Sequence, residues 1–254
     1  MDKYILLIET ATDACSVALT KNGATIAEKY IDEPKAHASV IGGYVTDILK
    51  ENGITMDDCA AVAVSKGPGS YTGLRVGVSC AKGLCYGAGK PLISVCTLAT
   101  ITQLALDNNL YTGTGDFLVV PMIDARRMEV YAAVFSPIIS DKAYSVISSE
   151  AKGRVEKSLL YTQITETAPA IIDENSFAEY LEQGPVLFIG DGAGKCADVI
   201  KHPNAHFVQC CPNASSMLSP ALAAYRAGDF KDVAYFEPFY LKEFVATVSK
   251  KKLF

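Results

Sequence analysis

Apolar and polar positions along this chain repeat with two different periods, and the switches between them divide it into elements. Tyr4–Ile8 (Y-I-L-L-I) and Cys15–Thr20 (C-S-V-A-L-T) read as short strands, and Asn22-Gly23 is a two-residue hairpin signal leading into a third strand at Thr25–Tyr30. From His37 to about Lys50, apolar residues recur at Val40, Ile41, Tyr44, Val45, Ile48 and Leu49, a helical stripe that stops at Asn52-Gly53. A buried strand at 60–65 (A-A-V-A-V-S) leads into a glycine-rich loop. A helix over 72–86, a strand at 92–95 and a helix over 97–108 follow.

After Gly113-Thr114-Gly115 the pattern restarts. Residues 117–123 (F-L-V-V-P-M-I) predict a strand ending in Asp124, and 129–135 (E-V-Y-A-A-V-F) a returning strand, much as Ile8-Glu9 is followed by Cys15–Thr20. A helix near 176–183, a strand at 186–189, a helix around 195–200, a strand at 207–210 and a last helix within 213–227 complete the list. The expectation is an α/β protein of two lobes, 1–112 and 113–254, each on a β-β-β-α-β-α plan, with the last helix a candidate to pack back on the first lobe.

Composition narrows the function. Half of the 254 residues are apolar, enough for a substantial core, and the formal charge of −5 lacks the basic excess that direct nucleic-acid binding requires. Eight cysteines, at 15, 59, 80, 85, 96, 196, 210 and 211, form no C-x-x-C pair, and several sit in apolar runs. They read as reduced, buried thiols of a cytoplasmic protein. No run approaches the roughly 18 apolar residues of a membrane span.

Two glycine-rich loops are candidates for chemistry. A phosphate-binding P-loop needs a lysine followed by a hydroxyl at its end, and Gly67-Pro68-Gly69-Ser70-Tyr71-Thr72-Gly73-Leu74-Arg75 has neither. Gly190-Asp191-Gly192-Ala193-Gly194-Lys195 is one residue short and is followed by Cys196 where a magnesium-binding hydroxyl belongs. Both loops read more readily as tight turns than as phosphate cradles. His202 and His206 have helical metal-pair spacing, but Pro203-Asn204 between them favours a turn. Glu9, Asp124 and Asp191 fall at strand ends, either as carboxylates holding a metal-bound nucleotide between lobes or as strand-end caps, and Glu9, Thr10, Asp124, Gly190, Asp191 and Gly192 are the candidates for a vestigial nucleotide cleft. There is no G-x-S-x-G elbow, which leaves a peptidase without a nucleophile.

The helix after the first loop is unusual. Leu74, Val78, Ala81 and Cys85 make an ordinary buried row, but Gly73, Gly77, Ser79, Gly83 and Gly87 occupy other faces, and only Arg75 and Lys82 are ionic. Each helical glycine costs about 1 kcal/mol relative to alanine. Another backbone is therefore expected to come close, from this chain or, the favoured reading, from a second subunit that also covers the 40–49 stripe.

Four stretches together resemble the TsaB family, also called YeaZ: Ile8-Glu9-Thr10-Ala11-Thr12-Asp13-Ala14-Cys15-Ser16-Val17-Ala18-Leu19, Gly67–Gly77, Ile123-Asp124-Ala125-Arg126 with Glu129-Val130-Tyr131, and Glu237-Pro238-Phe239-Tyr240-Leu241. The resemblance runs from residue 4 to about 245 and implies a two-lobed actin, sugar-kinase and Hsp70-like (ribonuclease H-like) fold. It also implies a role in forming threonylcarbamoyladenosine beside the tRNA anticodon, as a non-catalytic partner of the similar subunit TsaD, in a complex with the ATPase TsaE. TsaD carries an H-x-x-x-H metal motif at a place where this chain has Thr97 and Ile101, neither a competent ligand. The implied interface lies on the helices 37–51 and 72–87, with Val40, Ile41, Tyr44, Val45, Ile48, Tyr71, Thr72, Leu74, Arg75, Gly77, Val78 and Ala81 as partner-binding candidates, engaging TsaD or, without it, a second copy. No tightly bound cofactor is expected, ATP or ADP only within the complex, and tRNA contact only through it. The rival reading is a nucleotide-dependent transferase or ATPase acting alone.

Overall fold

A computed structural model describes residues 3–138 and 161–241; the lysines at 250–252 lie outside them. In the first lobe, strands β1 (Tyr4–Glu9), β2 (Ala14–Lys21), β3 (Ala24–Asp32), β4 (Cys59–Gly67) and β5 (Leu92–Cys96) form a sheet in the order β3-β2-β1-β4-β5. Helices α1 (His37–Glu51), α2 (Tyr71–Ala88) and α3 (Thr97–Asp107) connect them. The second lobe holds β6 (Leu118–Asp124), β7 (Glu129–Ala132), β8 (Phe135–Pro137), β9 (Tyr161–Gln163), β10 (Ala168–Ile171), β11 (Val186–Gly190) and β12 (Ala205–Gln209). Its helices are α4 (Ala178–Leu181), α5 (Ala193–Ala197) and α6 (Leu218–Ala227).

The second sheet runs β10-β7-β6-β11-β12, the first sheet's order again. In both, the leading strand pairs antiparallel with the next and parallel with the fourth in the row: β1 with β2 and β4, β6 with β7 and β11. The repeat that the sequence only suggests is therefore present in strand order and in pairing sense.

Period-2 alternation along β1 sends Leu6 and Ile8 to one face and Ile5 and Leu7 to the other. The first face is covered by α1 and α2 through Ile41, Val45, Ile48, Val78, Ala81 and Cys85. The second is covered by the end of the chain, through Ala214, Met217, Leu218 and Ala221. In return, α3 of the first lobe places Leu98, Ile101, Leu104 and Ala105 against Val119, Ile123, Leu187 and Ile189 of the second sheet. Each lobe thus supplies a helix to the other's core, and the lobes share their burial energy.

The strand expected over 129–135 is divided into β7 and β8 at Ala133-Val134. Both parts keep one register with β6, Met122 opposite Ala132 and Val119 opposite Phe135, but the outer neighbour changes from β10 to β9. At the changeover the Thr165 hydroxyl accepts from the Val134 amide, at 2.8 Å. The last helix begins as a 3-10 turn at Ser215–Met217, and the helices expected near 176–183 and 195–200 are the shorter α4 and the earlier-starting α5.

Glycines in α2 fall into two classes. A Cβ on Gly73 would collide with the Thr10 carbonyl oxygen and one on Gly77 with the Thr10 hydroxyl, whereas at Gly83 and Gly87 nothing lies within 4 Å. Gly73→Ala is expected to destabilise the protein by about 1–3 kcal/mol or more, and Gly83→Ala to stabilise it by about 1 kcal/mol. Denaturant unfolding of the two variants checks both signs; equal shifts would refute the division.

Candidate functional site

The glycine-rich loop is turned inward. Gly69 lies against the Ala11 carbonyl, the Ser70 amide donates to Ala11 O at 2.6 Å, and the Ser70 hydroxyl caps α2 by accepting from the Gly73 amide at 3.3 Å. Gly67, at φ 107°, leaves room for the Phe239 carbonyl, which lies 2.8 Å from where a Cβ would stand. The close neighbour that the sequence assigns preferentially to a second subunit is, at Gly73, the Thr10 carbonyl of the same chain and, at Gly77, the Thr10 side chain. This corrects that expectation for those two glycines.

What remains outward on α2 is a stripe of Thr72, Arg75, Ser79, Gly83 and Tyr86, at intervals of three and four residues, with Gly87 beside it. Tyr86 is 86 % exposed. Half-buried Val76, Cys80 and Leu84 line the border with α1, which contributes half-buried Val40 and Tyr44 and exposed Gly42, Gly43 and Thr46. Gly83 and Gly87 open onto a shallow groove of about 380 Å³ that reaches Met56 of the 3-10 turn Met56–Asp58. A solvated helix of this length would carry several charges; this stripe carries Arg75 alone. Lys82, at its edge, is turned aside to donate to the Ala234 and Phe236 carbonyls, both at 3.0 Å.

Those carbonyls belong to a C-terminal strap. Lys231 donates its amide to Leu92 O at 2.8 Å, Phe239 donates to Lys66 O at 2.7 Å, and Val233 and Phe236 pack on the first core. The strap ends with Tyr240 against Tyr71, ring centroids 4.8 Å apart, so Glu237–Leu241 is tied to the start of α2.

The strand-end acids have a different use from the one a nucleotide needs. Glu9 is fully buried; its Oε1 accepts from the Ala11 amide at 2.8 Å, its Oε2 has no partner, and burial pushes its pKa up to about 7. Asp124 repeats the turn, Oδ1 accepting from the Arg126 amide at 2.7 Å, and also holds the Lys195 ammonium. That lysine further donates to Arg127 O at 2.8 Å and Glu129 O at 2.7 Å. Asp191 accepts from the Asp124 amide at 2.9 Å; burial foremost, then the nearby Asp124 and Asp13 charges, raises its pKa to about 6.

The amides of Gly192 and Gly194 donate to Met122 O at 3.1 Å and to Gln209 Oε1 at 2.6 Å, and Gly190 is pressed on the Met122 backbone. Thr10 is also fully buried. Both acids act as strand-end caps, once in each lobe. Gly190 and Gly192 are taken up by internal contacts, whereas Glu9 Oε2 and the Thr10 hydroxyl are buried without a hydrogen-bond partner.

His206 lies in β12 with its ring edge on Tyr111, and His202 Nδ1 accepts from the Asn204 amide at 3.2 Å, so the two stand on a turn and a strand as Pro203 suggests. Among the described residues no three His, Cys, Asp or Glu side chains converge as a metal site, and no helix is long and apolar enough to cross a membrane.

The family model "TsaD: tRNA N6-adenosine threonylcarbamoyltransferase" matches residues 26–249. The tRNA threonylcarbamoyladenosine biosynthesis protein TsaB of Escherichia coli K12 is 33% identical across 95% of this chain and 96% of its own length. Its Haemophilus influenzae namesake is 30% identical across 98% and 96%. The chain belongs to the TsaB family. YeaZ from Pseudomonas aeruginosa superposes with a TM-score of 0.76 at 25% identity, covering 94% of this chain and all of that one (100%), which agrees with the two-lobed actin-like fold.

Within this TsaB-family chain, Thr97 and Ile101 are the residues that the resemblance sets against the TsaD histidines. Thr97 is a fully buried hydroxyl without a partner, and Ile101 is core; they do not fit a metal. Of the interface candidates, Ile41, Val45, Ile48, Leu74, Gly77, Val78 and Ala81 are buried in the chain's own core. Val40, Tyr44 and Tyr71 are half-buried, and Thr72 and Arg75 are exposed. An apolar stripe marks the inward side of a helix; the outward TsaB surface at Gly42, Gly43, Ser79, Gly83 and Tyr86 is legible only as a gap in the charges.

Glu9→Gln keeps the acceptor for Ala11 and imitates the protonated acid. In the parent protein the unfolded chain ionises from about pH 4.5 while the native acid stays protonated to about pH 7, so stability falls across that window by on the order of 3 kcal/mol. The variant is expected to lose this slope and to be the more stable protein at pH 8. Parallel stability curves in urea from pH 4.5 to 8 would refute the assignment.

Proposed function

We propose that this chain is a non-catalytic subunit that binds TsaD through the outward face of α1 and α2, within a complex that includes TsaE, and so supports formation of threonylcarbamoyladenosine in tRNA. In the absence of TsaD the same face closes on a second copy. The observation that carries this reading is the second class of glycines. Gly83 and Gly87 weaken α2 without any internal contact that requires them, and they sit on a helix face nearly free of charge. A surface of that kind gains from being covered by another polypeptide at short range. The names of the relatives support the pathway, and the inward use of the loops and strand-end acids supports a subunit without its own reaction centre. The chain meets tRNA through its partners, consistent with its net charge of −5.

Gly83→Arg places a long charged side chain on the face where the monomer leaves open space. It is expected to weaken association with cognate TsaD by about 30-fold or more, as a buried unpaired charge should, with a melting temperature no lower than the parent's. Unchanged affinity would remove the face from the interface.

Titration calorimetry of the isolated chain with ATP and magnesium is expected to give no saturable heat in the micromolar range. A saturable signal abolished by Lys195→Ala would instead support the solitary ATPase or transferase.

A further inference from the structure

The outward stripe of α2 carries one charge, and that charge is held still. The Arg75 guanidinium lies over the Tyr71 ring, 4.1 Å from its centroid, and its Nε donates to the Tyr240 hydroxyl at 3.3 Å. Tyr240 comes from the strap, 165 residues further along the chain, and packs on Tyr71 as well. The arginine is therefore gripped from two sides. Among the described residues no carboxylate is within ion-pair distance; Glu237 acts on it only at longer range.

We propose that Arg75 is a preorganised anchor for a carboxylate of the protein that covers this face, and that Tyr240 of the strap is its positioning residue. The inference rests on the docking face argued above and adds the chemistry of the partner to it. A face that becomes buried cannot leave a guanidinium unpaired, because desolvating a lone charge costs more than the rest of the contact returns. The partner must bring an acceptor, and a planar fork stacked on an aromatic ring matches a carboxylate in the bidentate manner. Holding the fork in advance reduces the ordering cost of the contact.

A nucleic-acid phosphate is disfavoured as the acceptor. The adjacent cation, Lys82, already serves two carbonyls, Glu237 is close by, and the chain as a whole is acidic. The strap motif Glu237–Leu241, which is far in sequence from either interface helix, thereby acquires a task.

The experiment measures affinity for cognate TsaD against ionic strength for five variants. Arg75→Gln is expected to weaken binding by about 30-fold or more and to flatten the salt dependence, since it leaves the partner's carboxylate buried and unpaired. Arg75→Lys keeps the charge without the fork or the stack and recovers only part of the loss. Tyr240→Phe removes the hydroxyl that orients Nε and is expected to cost about 3- to 10-fold, but nothing further in the Arg75→Gln background, a coupling that a merely structural role would not give.

Gly83→Arg serves as the control for the face. If it abolishes binding while Arg75→Gln changes neither affinity nor salt dependence, the carboxylate anchor is wrong and the docking face stands. If both leave binding unchanged, the face itself is wrong. Tighter binding by Arg75→Gln, or a loss confined to tRNA retention on a filter, would also overturn the anchor.

Discussion

The structure is organised by one close contact, between the turn after β1 and the base of α2. Two carbonyls and a hydroxyl of Thr10-Ala11 occupy the volume where side chains of residues 69, 73 and 77 would stand, and the Ser70 amide is bound to one of those carbonyls. Only glycine permits that distance. With its base pinned to the strand end, α2 lies flat on the sheet and buries Leu74, Val78, Ala81 and Cys85. The same fixed rotation settles which residues face away, so the composition of the exposed stripe is a consequence of the anchoring turn.

The duplication gives both lobes the same local device at the end of the leading strand. Glu9 and Asp124 are equivalent by sheet position and perform the same local task, each accepting the amide two residues on. Such a cap stabilises the turn whether or not a ligand is present. Lys195, a cation at the start of a helix beside Asp124, neutralises the acid and ties down the 124–129 turn through two further carbonyls. The exchange of α3 and α6 between the two cores then couples the lobes, so neither can be lost without exposing the other's apolar face.

Much of the fold is legible in the residues because period and punctuation agree: Asn22-Gly23, Asn52-Gly53 and the 40–49 stripe each specify an element boundary or face that is observed. The division of 129–135 is not legible, since it depends on which outer strand is adjacent, and Thr165 lies thirty-one residues from the Val134 amide it receives. The site is harder for the same reason. An apolar stripe reports what a helix buries in its own domain, which is why Ile41, Val45, Ile48, Leu74, Val78 and Ala81 are named by the sequence and prove to be core. The glycines of α2 look alike in sequence, yet Gly73 and Gly77 answer to Thr10 whereas Gly83 and Gly87 answer to nothing in the chain.

That last distinction is the step by which structure informs function. A glycine demanded by an internal contact carries no information about partners, because its cost is offset within the monomer. Once Gly69, Gly73 and Gly77 are accounted for in this way, the residual irregularities of α2 are two unneeded glycines, one very exposed tyrosine and one immobilised arginine on a single face. Each is unfavourable or unrewarded in the isolated chain: the glycines loosen the helix, the tyrosine exposes a large apolar ring, and the arginine gives up its rotamer freedom. Burial against a second polypeptide, as proposed, would give all of them a use at once, with hollows, a knob and a charge supplied from one helix.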